Sequence, residues 1–267
     1  MAKKSSITGI KKISDLNKSD LKIISCLYLN KSRELFLNKS ISTNTNEGKW
    51  REFVYCILAG SQFPVNKLKV IFPILFSNHK SYFELKSFKD IIVAKKRDEI
   101  AKILKGLGYR YHTQKATTII NAATYFIERF NSNIEIFLSI DSDVNLVRKK
   151  LVTDVSGIGI KIASHWLRNL GLPVCTIDIH LRRLLFNLNL SNENTEGALK
   201  DSDFLFFENI FREWSKILKI DLGVLQFSVW EYTRGYCAPL NCSDCPFLTK
   251  CKRGKLFSKQ QRQLNLF

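Results

Sequence analysis

The sequence predicts an all-α protein, and three observations lead there. Apolar residues recur at helical spacing over most of the chain, no stretch of strict apolar–polar alternation is long enough to argue for a sheet, and Asp or Ser residues stand where several periodic stretches begin. The 267 residues, 45% of them apolar, suffice to bury a large core in one or two domains.

Residues 1–20 are basic and polar and are expected to form a flexible N-terminus, with apolar residues gathering from Leu21 to Leu37. Residues 43–48 read as a polar break. From Trp50 a helix is expected with Phe53, Val54, Ile57 and Leu58 on one face, closing at Ala59, Gly60, Ser61 and Gln62. Short apolar segments follow near 66–76 and 87–94, and Ile100, Ile103, Leu104 and Leu107 mark a helix stopped by Gly106 and Gly108. A long helix carries Ala116, Ile119, Ile120, Ala123, Phe126, Ile127 and Phe130, aromatics that read as core. Asp141 or Ser142 is placed to cap a helix bearing Val144, Val147 and Leu151. Beyond a polar loop at 189–197, Phe204, Phe207, Phe211 and Trp214 share one side of another helix, and Asp221 is expected to cap the last one, through Trp230.

Lys and Arg number 42 against 24 Asp and Glu, a formal charge of +18 that favours a polyanion such as nucleic acid over an acidic small substrate. A lysine-rich surface would give the same excess, so charge alone decides nothing. No apolar run is long enough to span a bilayer, and the start lacks the apolar core of a secretory signal; a soluble cytoplasmic protein without a membrane partner is expected.

The chemistry-bearing stretch is 155–178, VSGIGIKIASHWLRNLGLPVCTID. Gly157 and Gly159 flank one apolar residue, so the backbone can bend tightly and offer its N–H groups with no side chain in the way. A helix starting near Ile160 would turn its unpaired amides and the positive end of its dipole toward an anion such as a backbone phosphate. Lys161 falls in its first turn, and Asp178, seventeen residues on, stands at the start of the next helix, so an amine and a carboxylate can converge beside a bound strand. Taken singly, Lys161 also suits an ordinary phosphate contact and Asp178 a plain N-cap. His165 and His180 read as structural residues.

These residues resemble the helix-hairpin-helix DNA glycosylase superfamily, in which a glycine hairpin is followed by a Lys in members that also cut the strand and by an Asp opening a later helix. The run KIASHWLRNLG is similar to the second-class 8-oxoguanine glycosylases, and the C-terminal cysteines are similar to endonuclease III. The resemblance implies two helical lobes with a DNA-binding cleft between them. One lobe is a barrel-like domain over 49–160 leading into the hairpin motif at 142–171; the other combines 21–48 with 172–251. It further implies that Gln62, in an AGSQ match, fills the gap left by an extruded base, and that Lys161 and Asp178 are catalytic. The expected activity is base-excision repair by a DNA glycosylase with AP lyase activity, on double-stranded DNA carrying an oxidised base. The hairpin-side wording favours 8-oxoguanine; the cysteines favour oxidised pyrimidines. A noncatalytic DNA-binding module with a structural zinc is the reading from another class.

Cys237, Cys242, Cys245 and Cys251 give C-x4-C-x2-C-x5-C, a set that suits a tetrahedral zinc or an iron–sulfur cluster. The resemblance to endonuclease III decides for a [4Fe-4S] cluster in a loop at 237–251, although the first gap is shorter here. Lys250, Lys252, Arg253 and Lys255 are expected to grip phosphates nearby, and Cys26, Cys56 and Cys175 to be small core residues. The chain ends in a tail at 252–267, expected to be flexible, where Gln263, Leu264, Leu266 and Phe267 resemble a sliding-clamp-binding peptide. That peptide implies a bacterial or phage host, and the protein is expected to act as a monomer.

Overall fold

The computed structural model describes residues 16–34, 43–60, 63–88, 93–191, 199–237 and 241–264. Among these no strand occurs, as the sequence predicts. In chain order the helices are α1 (Lys18–Cys26), α2 (Asn46–Ala59), α3 (Val65–Ser77), α4 (Lys80–Phe83), α5 (Val93–Gly106), α6 (His112–Phe130), α7 (Ile134–Leu138), α8 (Val144–Asp154), α9 (Ile160–Asn169), α10 (Ile179–Asn187), α11 (Asp201–Leu218), α12 (Leu222–Tyr232) and α13 (Lys252–Leu264). No helix among the described residues is long and apolar enough to cross a membrane.

The chain divides into two compact units, one spanning Leu37–Val174 and the other combining Met1–Phe36 with Cys175–Phe267. The first is built on α2, whose apolar face buries Trp50, Phe53, Val54, Ile57 and Leu58. Phe53 lies 4.5 Å from Trp166 and 5.8 Å from Phe126, centroid to centroid, and Phe126 meets Phe137 edge-on at 5.4 Å. Such tilted and edge-to-face pairs add to the stabilisation from area burial. Both buried indoles keep an acceptor: Trp50 Nε1 donates to Phe83 O at 2.6 Å and Trp166 Nε1 to Lys49 O at 2.9 Å. In the second unit α1 packs on α12, and Ser228 Oγ donates to the Ser25 carbonyl.

Several expectations are corrected. Helix α2 begins inside the expected polar break, because Thr45 Oγ1 accepts from Gly48 N at 3.0 Å and caps it there. Helix α8 is capped by Asp143, which accepts from Asn145 N at 2.8 Å, and not by Asp141 or Ser142; Asp141 instead accepts from Asp143 N. Asp221 does cap α12, but α12 is not the last helix. The expected flexible tail is helical over Lys252–Leu264, where Lys, Gln, Arg and Leu favour a helix. Cys56 and Cys175 are buried as expected, whereas Cys26 is exposed.

Candidate nucleic-acid interface and cysteine loop

In the first unit, α8 and α9 form a helical hairpin about the turn at 155–159. Arg148, buried on α8, donates to Ser164 Oγ of α9 at 3.0 Å and to Asn145 Oδ1 at 2.7 Å, tying the two arms together. The turn is also fastened to α6: Tyr125 OH donates to Asp154 Oδ2 at 3.1 Å, and Asn121 Nδ2 to the Ser156 carbonyl at 3.2 Å. Ile158 is the apolar plug, 4% exposed, and its N–H closes the turn on the Val155 carbonyl at 3.1 Å.

The two glycines are there for different reasons. Gly157 has φ +92°, in the left-handed region, and a Cβ built on it would lie 2.5 Å from Thr118 Oγ1, so both backbone and packing demand glycine. Gly159 has φ −94°, which any residue adopts, and a Cβ there would meet nothing within 4 Å. Nothing among the described residues explains its lack of a side chain. Gly159 is also the N-cap of α9 and supplies no side-chain acceptor, unlike Asp143, Asp178 and Asp221 at the starts of α8, α10 and α12. The first-turn amides of α9 are therefore left without the side-chain cap that those helices have.

Lys161 stands exposed in that first turn. Its neighbour Lys115, on α6, is a residue that sequence reading passes over. Lys115 is only 5% exposed, and burial, followed by the charge of Lys161, pushes its pKa down from 10.5 to about 8. It lies one turn before Thr118 on the helix that backs the hairpin; a lysine embedded in the apolar run around Ala116 and Ile119 was the available signal. Gln62 lies outside the described residues. His165 makes an edge contact with Tyr55 at 6.3 Å, in keeping with a structural role.

In the second unit Asp178 is the N-cap of α10. Its Oδ1 accepts from His180 N and Leu181 N, each at 3.0 Å, and its Oδ2 accepts from Trp230 Nε1 at 2.7 Å. Helix α12 then runs into a π-helical turn, Thr233–Cys237, that delivers the first cysteine of the loop. Cys237, Cys242, Cys245 and Cys251 line one shared cavity, with Tyr232 and Phe247 among the residues walling it. Tyr232 OH lies 3.1 Å from Cys245 Sγ, and Gly254 N donates to Cys251 Sγ at 3.0 Å. Burial, then the thiols of Cys245, Cys251 and Cys242, push the Cys237 thiol up to about 12, with Arg253 opposing. Among the described residues no three His, Cys, Asp or Glu side chains are grouped to hold a single metal ion.

Not all of the cations expected to grip phosphate are free to do so. Lys250 pairs with Asp20, and Lys252 stands over the Phe186 ring at 4.2 Å, so both are engaged within their own unit. Gln263 and Leu264 form the end of α13, while Leu266 and Phe267 lie outside the described residues.

A family model described as 8-oxoguanine DNA glycosylase, Ogg-HhH, matches residues 31–220. The 8-oxoguanine DNA glycosylase/AP lyase of Methanocaldococcus jannaschii is 29% identical over 227 residues, 85% of this chain and 97% of that one. The protein of the same name from Korarchaeum cryptofilum is 29% identical over 192 residues, 72% of this chain and 82% of that one. The crystal structure of the Methanocaldococcus glycosylase superposes with a TM-score of 0.65 at 25% identity, covering 81% of this chain and 94% of its own. A trapped endonuclease III–DNA covalent intermediate, at 16% identity, shares the fold with a TM-score of 0.60 over 91% of this chain and 99% of its own. The curated relatives are archaeal and do not support the bacterial host that the C-terminal peptide suggested.

Proposed function

The chain belongs to the Ogg-HhH family of 8-oxoguanine DNA glycosylases, and from that premise we propose that it excises 8-oxoguanine from duplex DNA and cuts the strand at the resulting abasic site, with Lys161 as nucleophile. The observation that carries this reading is the exposed amine of Lys161, one residue past the start of an uncapped helix, directly behind a turn whose second glycine leaves open space. A phosphate approaching Gly159 meets bare backbone and the positive end of α9, which grips a strand without reading its sequence. A relative has been crystallised with a 15mer DNA containing 8-oxoguanine, which supports DNA carrying that base as the substrate.

The neutral Lys161 amine attacks the sugar C1′; the C1′–N bond breaks, and its electron pair leaves with the base, which takes up a proton. After the amine has lost one proton, its lone pair breaks the C1′–O4′ bond, O4′ takes up a proton, and a protonated imine joins Lys161 to C1′. Removal of a C2′ proton then expels the 3′ phosphate by β-elimination. The carboxylate that steadies positive charge developing on the sugar is assigned to Asp178. Gln62 is assigned to the space vacated by the extruded base.

The cysteine loop fits a [4Fe-4S] cluster better than zinc. All four donors are sulfur and line one cavity, a set that either group accepts, and the similarity of the loop to that of endonuclease III favours the cluster. When bound, the cluster serves to cross-link the loop. Brown colour with stoichiometric iron and sulfide supports this; zinc alone contradicts it. The loop also favours a second reading of the substrate, oxidised pyrimidines. Incision of single-lesion duplexes separates the two: cleavage of 8-oxoguanine paired with cytosine well above thymine glycol supports the first, and the reverse order the second. The protein is taken to work as a monomer. Its C-terminal peptide, with Gln263, Leu264, Leu266 and Phe267, is assigned to a sliding clamp, and loss of clamp binding on removing 263–267 tests that.

A further inference from the structure

We propose that Trp230 is a positioning residue for the Asp178 carboxylate. The inference rests on the catalytic assignment of Asp178 above and concerns what aims it. Capping α10 takes only Oδ1, which accepts both first-turn amides, from His180 and Leu181. A cap needs no more than that. The second oxygen is held separately, by the Trp230 indole N–H at 2.7 Å, from a helix 52 residues further along the chain. With one oxygen held, a carboxylate can still rock about its Cβ–Cγ bond; with both held, its plane is set. Each carboxylate oxygen offers two lone-pair directions, so Oδ2 keeps one after accepting from the indole, and that direction is fixed by Trp230.

The chemistry of the donor matters as much as its place. An Arg or Lys would hold the carboxylate equally well, but its charge would cancel the field that a sugar cation should feel. An indole N–H orients without neutralising. The indole is itself constrained: Phe227 lies 5.5 Å away one turn earlier, and the Arg234 guanidinium stands 4.7 Å over the ring. Arg234 is in turn 3.6 Å from Glu231, so its charge is shared with a carboxylate on the same turn.

The test is a double-mutant cycle of W230F and D178N in the full chain, read by single-turnover release of 8-oxoguanine, by duplex affinity and by the Trp230 indole 1H–15N resonance. Phe keeps the ring and loses the N–H. W230F should slow base release by roughly 10- to 100-fold, the scale set by a misplaced catalytic group. Duplex affinity should be unchanged, and W230F should add no further slowing in the D178N background. D178N should also shift the indole resonance. Wild-type rates in W230F, or the same fold-loss in both backgrounds, would overturn the proposal, since Trp230 would then act on the base or the fold directly. An indole resonance indifferent to D178N would overturn it even if W230F does not fold. Failure of the wild-type protein to act on either 8-oxoguanine or abasic duplexes would instead sink the parent assignment, and the two failures are distinct.

Discussion

The glycine turn at 155–159 and the first turn of α13, where the chain leaves the cysteine loop, each depend on glycine, but for different reasons. Where α13 leaves the cysteine loop the close approach is internal: a Cβ on Gly254 would clash with the Leu248 carbonyl oxygen, and the four cysteines line a cavity walled also by Leu184, Asn187 and Tyr232. In the turn one glycine, Gly157, answers to the protein through Thr118, while a Cβ on Gly159 would meet nothing within 4 Å among the described residues. The difference separates a bend that holds the fold from a bend that leaves room for a visitor. It also predicts that glycine-to-alanine substitutions will divide by readout.

The largest loss of stability is expected for G254A, because the clashing atom is backbone and cannot swing aside. About 3 kcal/mol, the upper range for overpacking, should be lost in denaturant unfolding, together with metal binding. G157A should cost less, about 2 kcal/mol, from left-handed strain and a displaced Thr118. G159A should leave stability within about 0.5 kcal/mol of wild type and weaken duplex binding instead. Equal stability losses in all three would break the comparison, and so would G159A binding DNA as wild type does.

Lys115 adds a test by pH and sharpens the account of the turn. Its pKa falls to about 8 in the folded protein from 10.5, so between those values the unfolded chain binds more protons than the folded one. Stability contributed through this group therefore rises with pH across that window, being at its lowest below the folded value. Denaturation midpoints should climb from pH 7.5 toward 9.5 in the wild type and climb less in K115M.

How much of this was legible in the sequence follows from the range of the interactions. Helix periods, the α9 start at Ile160 and the Asp178 and Asp221 caps are local, and the residues announce them. The start of α2 was misread because polar residues at 43–48 look like a break until Thr45 is recognised as a cap. The helix at Lys252–Leu264 was misread because its polar, basic face carries little apolar periodicity, and helix propensity had to be weighed instead. The partners of Trp230 and Lys115 were out of reach for another reason. Each matters through a residue 52 or 46 positions away, and no spacing rule brings Trp230 to Asp178 or Lys115 to Lys161. The same holds for Lys250, whose pairing with Asp20 spans nearly the whole chain and removes it from the expected phosphate-binding set.

Borohydride trapping on a duplex with one 8-oxoguanine opposite cytosine tests the central claim most directly. Wild-type protein should become covalently attached to the strand in a reductant-dependent way, and K161A, folded to the same melting temperature, should give no adduct. Trapping by K161A at the wild-type level would place the nucleophile elsewhere and contradict the account.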